Sequence, residues 1–232
     1  MDYILDILGI ILLIPLILFV IYAGKHLHKN ENTYYIIIGI FAFLTGVTAI
    51  IAQIVAYDLK QETPMIYALF FQGHSTLPFF ILVMFAGAFK KRSKPKLTLM
   101  KVRRELAIIG FLFLIPHAIL LVWLALTNLN PTGTLAFLIM LPLFITSFPK
   151  IRKKFAPKQW KKLHKWAYVS YALIYLHLAS ITIIFNLMNN TGSDLVYGFI
   201  RFGIYTAIFG YYTFLKLKND ILLPKPLPKK AT

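Results

Sequence analysis

Six histidines and no cysteine set the chemistry open to this 232-residue chain. Without thiols there is no disulfide, thiolate metal site, iron–sulfur cluster or cysteine nucleophile. Any metal or cofactor must be held by His, Tyr, Met, carboxylate or backbone groups. His74, His117, His164 and His177 fall within long apolar stretches, as does Arg201. His26 and His28 sit in a short basic connection and read as solvated loop residues. Inside a bilayer an ionisable side chain is costly, and it marks either function or a dedicated partner.

The elements that must position these residues follow from composition. The chain is 59% hydrophobic and only 14% charged, with a mean hydropathy of +0.71. Soluble domains run at about 45–50% apolar and about 25% charged, so lipid must be the solvent for most of this surface. An ordinary soluble enzyme, a disordered chain and a small disulfide scaffold are excluded. The net charge of +17 does not indicate nucleic acid, because the basic residues stand in short runs between apolar stretches, the pattern that orients membrane proteins.

A spanning helix needs about 20 mostly apolar residues. Seven stretches qualify: Ile4–Tyr22, Tyr34–Tyr57, Ile66–Phe89, Glu105–Thr127, a short fifth at Thr132–Phe148 that Pro142 can kink or make re-entrant, Leu163–Met188 and Leu195–Leu217. The first begins with Asp2 and Asp6 and lacks a small-residue cleavage site, so it reads as a retained helix. Eight Lys and Arg residues lie between Lys90 and Arg104, eight more between Lys150 and Lys165, and the tail adds Lys218, Lys225, Lys229 and Lys230. Asn128–Gly133 and Asn189–Asp194 carry none. Positive loops stay inside, so the expectation is an all-α bundle of about seven transmembrane helices, N-terminus outside and C-terminus cytoplasmic, in the cell membrane. Residues 1–232 form one transmembrane domain. With no GxGxxG or GxxxxGK[ST] loop, any nicotinamide chemistry occurs on another chain.

Depth sorts the histidines. His117 lies 13 residues beyond Arg104 and His177 lies 12 beyond Lys165, so each sits about 18–20 Å past the inner basic boundary. His74, 16 residues before Lys90, is slightly further out, and His164 is at the cytoplasmic edge. Two imidazoles at one level on two helices suit the axial positions of a low-spin haem. Zinc wants four ligands, usually including a carboxylate or thiol, and neither stands at that depth. A helix–helix hydrogen bond is the plain alternative for each membrane histidine, and for His74 it weighs as much as ligation.

Residues 141–178 carry further pattern: Pro142-Leu143, Thr146-Ser147, a basic loop, Trp160, Leu163-His164, Tyr168, and His177 thirteen residues after His164. A second block runs from Arg103-Arg104-Glu105-Leu106 to Pro116-His117, and Gly73-His74-Ser75-Thr76-Leu77 is a looser third. Together these resemble the ferric-reductase-like transmembrane family, nearest its MsrQ-type haem-binding membrane subunits, over roughly residues 34–217. The resemblance implies a six-helix core plus one helix, and an electron conduit. In it His117 and His177 ligate a haem b and His164 belongs to a second, inner cofactor site. A cytoplasmic flavin reductase or quinol donor and an extracytoplasmic acceptor would be the partners, with FMN or FAD on the cytoplasmic side. The chain departs from two-haem members, because Arg103 and Arg104 stand where a second histidine of the fourth helix would be, so one haem is expected and a second stays open.

Other features carry two readings each. Arg201 can neutralise a haem propionate, or snorkel outward or pair with Asp194. The basic run from Lys150 to Lys162 can dock a flavin phosphate or an acidic reductase, or serve topology and lipid headgroups. Trp166, Tyr168, Tyr171 and Tyr175 can flank a porphyrin or pack. The rival function is a non-redox transporter or assembly factor whose histidines are structural.

Overall fold

The computed structural model describes residues 8–58, 69–70, 72–124, 131–189 and 193–222, and these are all-α, with no strand among them. Helix α1 spans Leu13–Lys29, α2 Glu31–Asp58, α3 Leu77–Ala88, α4 Lys94–Leu124 and α5 Pro131–Ile145. Short helices α6 (Pro149–Arg152) and α7 (Pro157–His164) follow, then α8 (Ala167–Asn189) and α9 (Ser193–Leu217), which ends in a π turn at Lys218–Leu222. Asp2, Asp6, Asp194's side chain, residues 59–68, 125–130 and 190–192, and the tail lysines Lys225, Lys229 and Lys230 lie outside what is described.

Helix α3 is the buried axis. Phe80, Ile81, Leu82, Val83, Met84 and Ala86 are all buried. It packs on α4 and α9, and also on α1; α4 in turn receives α1 and α2, while α5 and α9 flank α8. Small residues set the closest approaches. A Cβ on Gly110 would fall 2.7 Å from Phe79 Cβ, and one on Gly24 would meet Val102 at 3.3 Å. Helices in lipid pack through such small residues because the hydrophobic effect does not distinguish a helix from a lipid tail.

Each end of α3 has a local cause. Gly73 holds φ +76° in the turn before it, a conformation that suits glycine, and Pro78 sits in its first turn. Thr76 Oγ1 donates to Gly110 O on α4. At the far end, Lys96 Nζ donates to Phe89 O at 2.9 Å, Lys216 Nζ to Gly87 O at 3.3 Å and Asn219 Nδ2 to Ala88 O at 2.9 Å. These donors satisfy carbonyls left open at a helix C-terminus, and the cations favour its negative dipole end.

The outer surface is apolar. Ile14 and Ile21 on α1, Ile36 and Phe43 on α2, and Phe199 and Phe214 on α9 are all more than half exposed, which marks a surface made for a non-aqueous partner. By length and composition the helix Leu8–Lys29 is apolar enough to cross a membrane, and α3 and α5 are shorter apolar helices.

Three sequence expectations are redrawn. The third stretch is not one continuous helix: a turn over residues 72–76 interrupts it before α3 starts at Leu77, so His74 lies in a turn. The sixth stretch breaks at Lys165–Trp166, where the i→i+3 bonds Lys165 N–H to Lys162 O and Trp166 N–H to Leu163 O tighten the chain. His164 therefore ends a separate surface helix. His26 and His28 are solvent-exposed, as expected, but they do not lie in a loop. They occupy the last turn of α1, with His26 Nδ1 3.0 Å from Tyr34 Oη and His28 Nδ1 2.7 Å from Glu105 Oε1.

The close α3–α4 contact yields a test. Gly110→Val should lower stability by about 1–3 kcal/mol through overpacking, read as a lower melting temperature in detergent. Gly210→Ala on α9, where a Cβ meets nothing within 4 Å, should be neutral or stabilise by up to about 1 kcal/mol.

Candidate functional site

The fold brings His117 on α4 and His177 on α8 together, ring edge to ring face. Their ring centroids are 6.2 Å apart with the planes at 65°. Two bonds of about 2 Å from a shared metal ion to imidazole nitrogens put the ring centres roughly 6 Å apart, so the spacing fits an ion held between them. His177 Nδ1 is buried and has no hydrogen-bond partner. Two glycines from other elements make room for the rings. A Cβ on Gly133, near the start of α5, would fall 2.6 Å from His177 Nδ1, and one on Gly73 would fall 3.4 Å from His117 Cδ2. Four segments thus converge on one pair, which leaves a cradle that any larger residue would fill. The chemistry of two neutral nitrogen donors and no anion suits a haem iron better than a hard cation.

His74 adjoins this pair through Gly73. It is 8% exposed, its Nε2 lies 3.0 Å from Gln72 Oε1, and a Cβ on Gly9 would fall 3.3 Å from its Cβ. Arg201 is half-buried on α9. The aromatics of α8 face a neighbour helix instead of the histidine pair. Tyr171 packs on Tyr212, Tyr175 packs on Phe209 and bonds Thr206, and Trp166 and Tyr168 are exposed.

His164 belongs to a second cluster near the basic loops. Its ring stacks on Trp160 at 3.9 Å, and Arg152 covers the other part of that indole at 4.5 Å. Trp160 Nε1 donates to Thr146 O at 3.1 Å. Thr146 Oγ1 donates to Pro142 O at 2.7 Å, so His164 Nε2–H is left to donate to Thr146 Oγ1 at 3.1 Å. Thr146 lies one helical turn beyond Pro142, which is why this carbonyl and hydroxyl meet. Burial pushes the His164 pKa down to about 4, with Arg103 and Arg152 adding repulsion. The imidazole is therefore neutral at pH 7, and its Nε2 is committed to Thr146.

The two arginines at the start of the apolar part of α4 have different tasks. Arg103 Nε donates to Val83 O at 3.2 Å. Arg104 Nη2 donates to Glu31 and, at 2.7 Å, to Glu105 Oε1. Glu105, 1% exposed, thus bonds both Arg104 and His28. Gly73, Gly133, Glu105 and His28 are site residues that sequence reasoning passed over. A glycine two residues after the helix-starting Pro131 was the available signal for Gly133.

Residues 88–175 match the ferric reductase like transmembrane component. The matched segment holds His117 and His164 and stops two residues short of His177; His74 and Arg201 lie outside it. This part of the chain is thus similar to that family's transmembrane component. A protein of Treponema pallidum (strain Nichols), described as uncharacterized, is 30% identical over 84 residues. That stretch is 36% of this chain and 22% of the relative's length, so the chain covers about a fifth of that relative. No solved structure matches.

The inner cluster yields a pH test. Because His164 resists protonation in the fold, its contribution to stability is full above about pH 6.5 and is lost as pH falls toward 4. Trp160→Ala, which opens the ring to water, should move its titration midpoint up toward about 6.5 in histidine-labelled NMR spectra. An unmoved midpoint would show that Trp160 does not bury it.

Proposed function

We propose that this chain is a multi-pass b-type cytochrome of the cell membrane. It passes single electrons from a cytoplasmic flavin or quinol donor to an acceptor on the outer face. The observation that carries this proposal is the pairing of His117 and His177 at 6.2 Å inside a glycine cradle, with a buried ring nitrogen left without a hydrogen-bond partner. The ferric-reductase-like match over residues 88–175 supports it independently. We place residues 1–232 in one transmembrane domain with its core at roughly 34–217, an MsrQ-type subunit with its basic loops in the cytoplasm.

His117 and His177 would hold a haem b. When bound, haem supplies one-electron iron chemistry in an apolar setting. The chain's own residues set the conditions for it. Helices α4 and α8 fix the depth of the two nitrogens, and Gly73 and Gly133 leave room for the rings. Arg201 supplies a cation for an anionic cofactor edge, and His74 lines the same side. His164, held neutral by burial, marks the entry side near Lys150, Arg152, Lys153 and Lys154, where an FMN- or FAD-bearing reductase would dock. A second haem there requires breaking the His164–Thr146 bond, so one haem is the expected content.

Haem stoichiometry and the dithionite-reduced spectrum test the proposal. Tag-free protein from haem-replete cells should be red, with about one low-spin haem b per chain. His117→Ala and His177→Ala should each remove it or make it high-spin, since each deletes one axial bond. Gly133→Ala should lower haem content while the chain stays folded, because its Cβ would displace the His177 ring. A colourless wild type would favour the transporter or assembly-factor class instead.

Direction rests on the basic connections. Pro131→Cys should react with an impermeant thiol reagent in intact cells, and Lys154→Cys should react only after lysis. The reverse pattern would invert the bundle and the direction of electron flow.

A further inference from the structure

The basic end of α4 carries a group of side chains that electron transfer does not use. His28 closes α1, Glu31 opens α2, and Glu105 lies on α4. One ligand atom from each falls within 4.8 Å of the other two. Three donors on a metal with bonds of about 2 Å are roughly 3.5 Å apart in tetrahedral geometry. A small closure of flexible side chains would suffice.

We propose that His28, Glu31 and Glu105 form a binding site for a first-row divalent cation that fastens the α1–α2 hairpin to α4. One imidazole and two carboxylates suit zinc, ferrous iron or manganese. Arg104 is the competitor. In the cation-free chain its guanidinium bonds both carboxylates and supplies the positive charge that a buried Glu105 requires. Arg104 and Glu31 hold that place incompletely. Two carboxylates and one guanidinium leave one negative charge uncompensated while His28 is neutral. Arg104 Nε is buried without a hydrogen-bond partner. The Arg104 side chain is 35% exposed, so it can swing to solvent as the cation enters, and the two carboxylates then balance a divalent charge.

Tyr35, one helical turn beyond Glu31, is 8% exposed, and its hydroxyl stands beside Glu105, Glu31 and Arg104, with Arg104 as its side-chain partner. When Arg104 swings out, a water on the bound cation would take that partner's place. Entry is from the His28 side, which is 59% exposed, against 17% for Glu31 and 1% for Glu105. Binding at His28 Nδ1, which now faces Glu105, moves the imidazole proton to the exposed Nε2.

The test uses the full chain without an affinity tag, stripped with EDTA in detergent and titrated with Co2+. One Co2+ per chain should bind with visible ligand-field bands and a rise in melting temperature. His28→Ala and Glu31→Gln, both at exposed or partly exposed positions, should each weaken binding at least tenfold with the fold kept. Arg104→Gln should tighten it, because the competing cation is gone. Wild-type binding no stronger than that of His28→Ala would overturn the site and leave the cluster as an ion-pair network. Arg104→Gln binding no tighter than wild type would overturn the exchange with Arg104. Neither result bears on the haem proposal, whose histidines are unchanged in these variants.

Discussion

A buried ring nitrogen without a hydrogen-bond partner costs on the order of 1–3 kcal/mol, and His177 Nδ1 is such a nitrogen. Much of the architecture is arranged around that constraint. Helix α5 begins against the His177 ring, and only a glycine at 133 permits the approach. The turn before α3 adopts a positive φ at Gly73 to pass beside His117. Pro116, fully buried on α4 and next in sequence to His117, lies where a Cβ on Gly46 of α2 would meet it at 3.4 Å. A pair of imidazoles held by four segments is costly to build in an apolar bundle unless something binds between them.

The opposite end solves a different problem. Here helices terminate, and their carbonyls need donors. Lys96 from the basic connection before α4 and Lys216 from the end of α9 both cap α3. Trp160, Thr146 and Arg152 close over His164 in the same way, and a histidine at the basic edge becomes a buried neutral group. The cluster couples α5 to the surface helix α7, which joins the basic loop to the helix carrying His177.

Glu105 is the one fully buried carboxylate of the described core. Its pairing with Arg104 and His28 ties α1 and α2 to α4. A charge in that position is tolerated only when it is paired. The first two helices, which lie outside the family match, therefore depend on the matched segment for their docking.

The sequence by itself determined the all-α class, because no soluble core can hide so apolar a chain. It also set the approximate stretches that become helices and the level shared by His117 and His177, since rise per residue converts position into depth. Periodicity on one helix, however, says nothing about which faces of two helices meet. That His117 and His177 point at each other, with Gly73 and Gly133 beside them, was decided by tertiary packing. The same holds for His28 and Glu105, which are 77 residues apart. A loop-like context suggested a solvated histidine, and only the docking of α1 on α4 gave it a buried partner. His164 shows the limit most directly: a continuous apolar stretch suggested one helix, whereas the break at Lys165–Trp166 put His164 on a separate segment. Spacing fixes depth along an axis; contact between axes depends on side-chain shape and on the small residues that let helices approach.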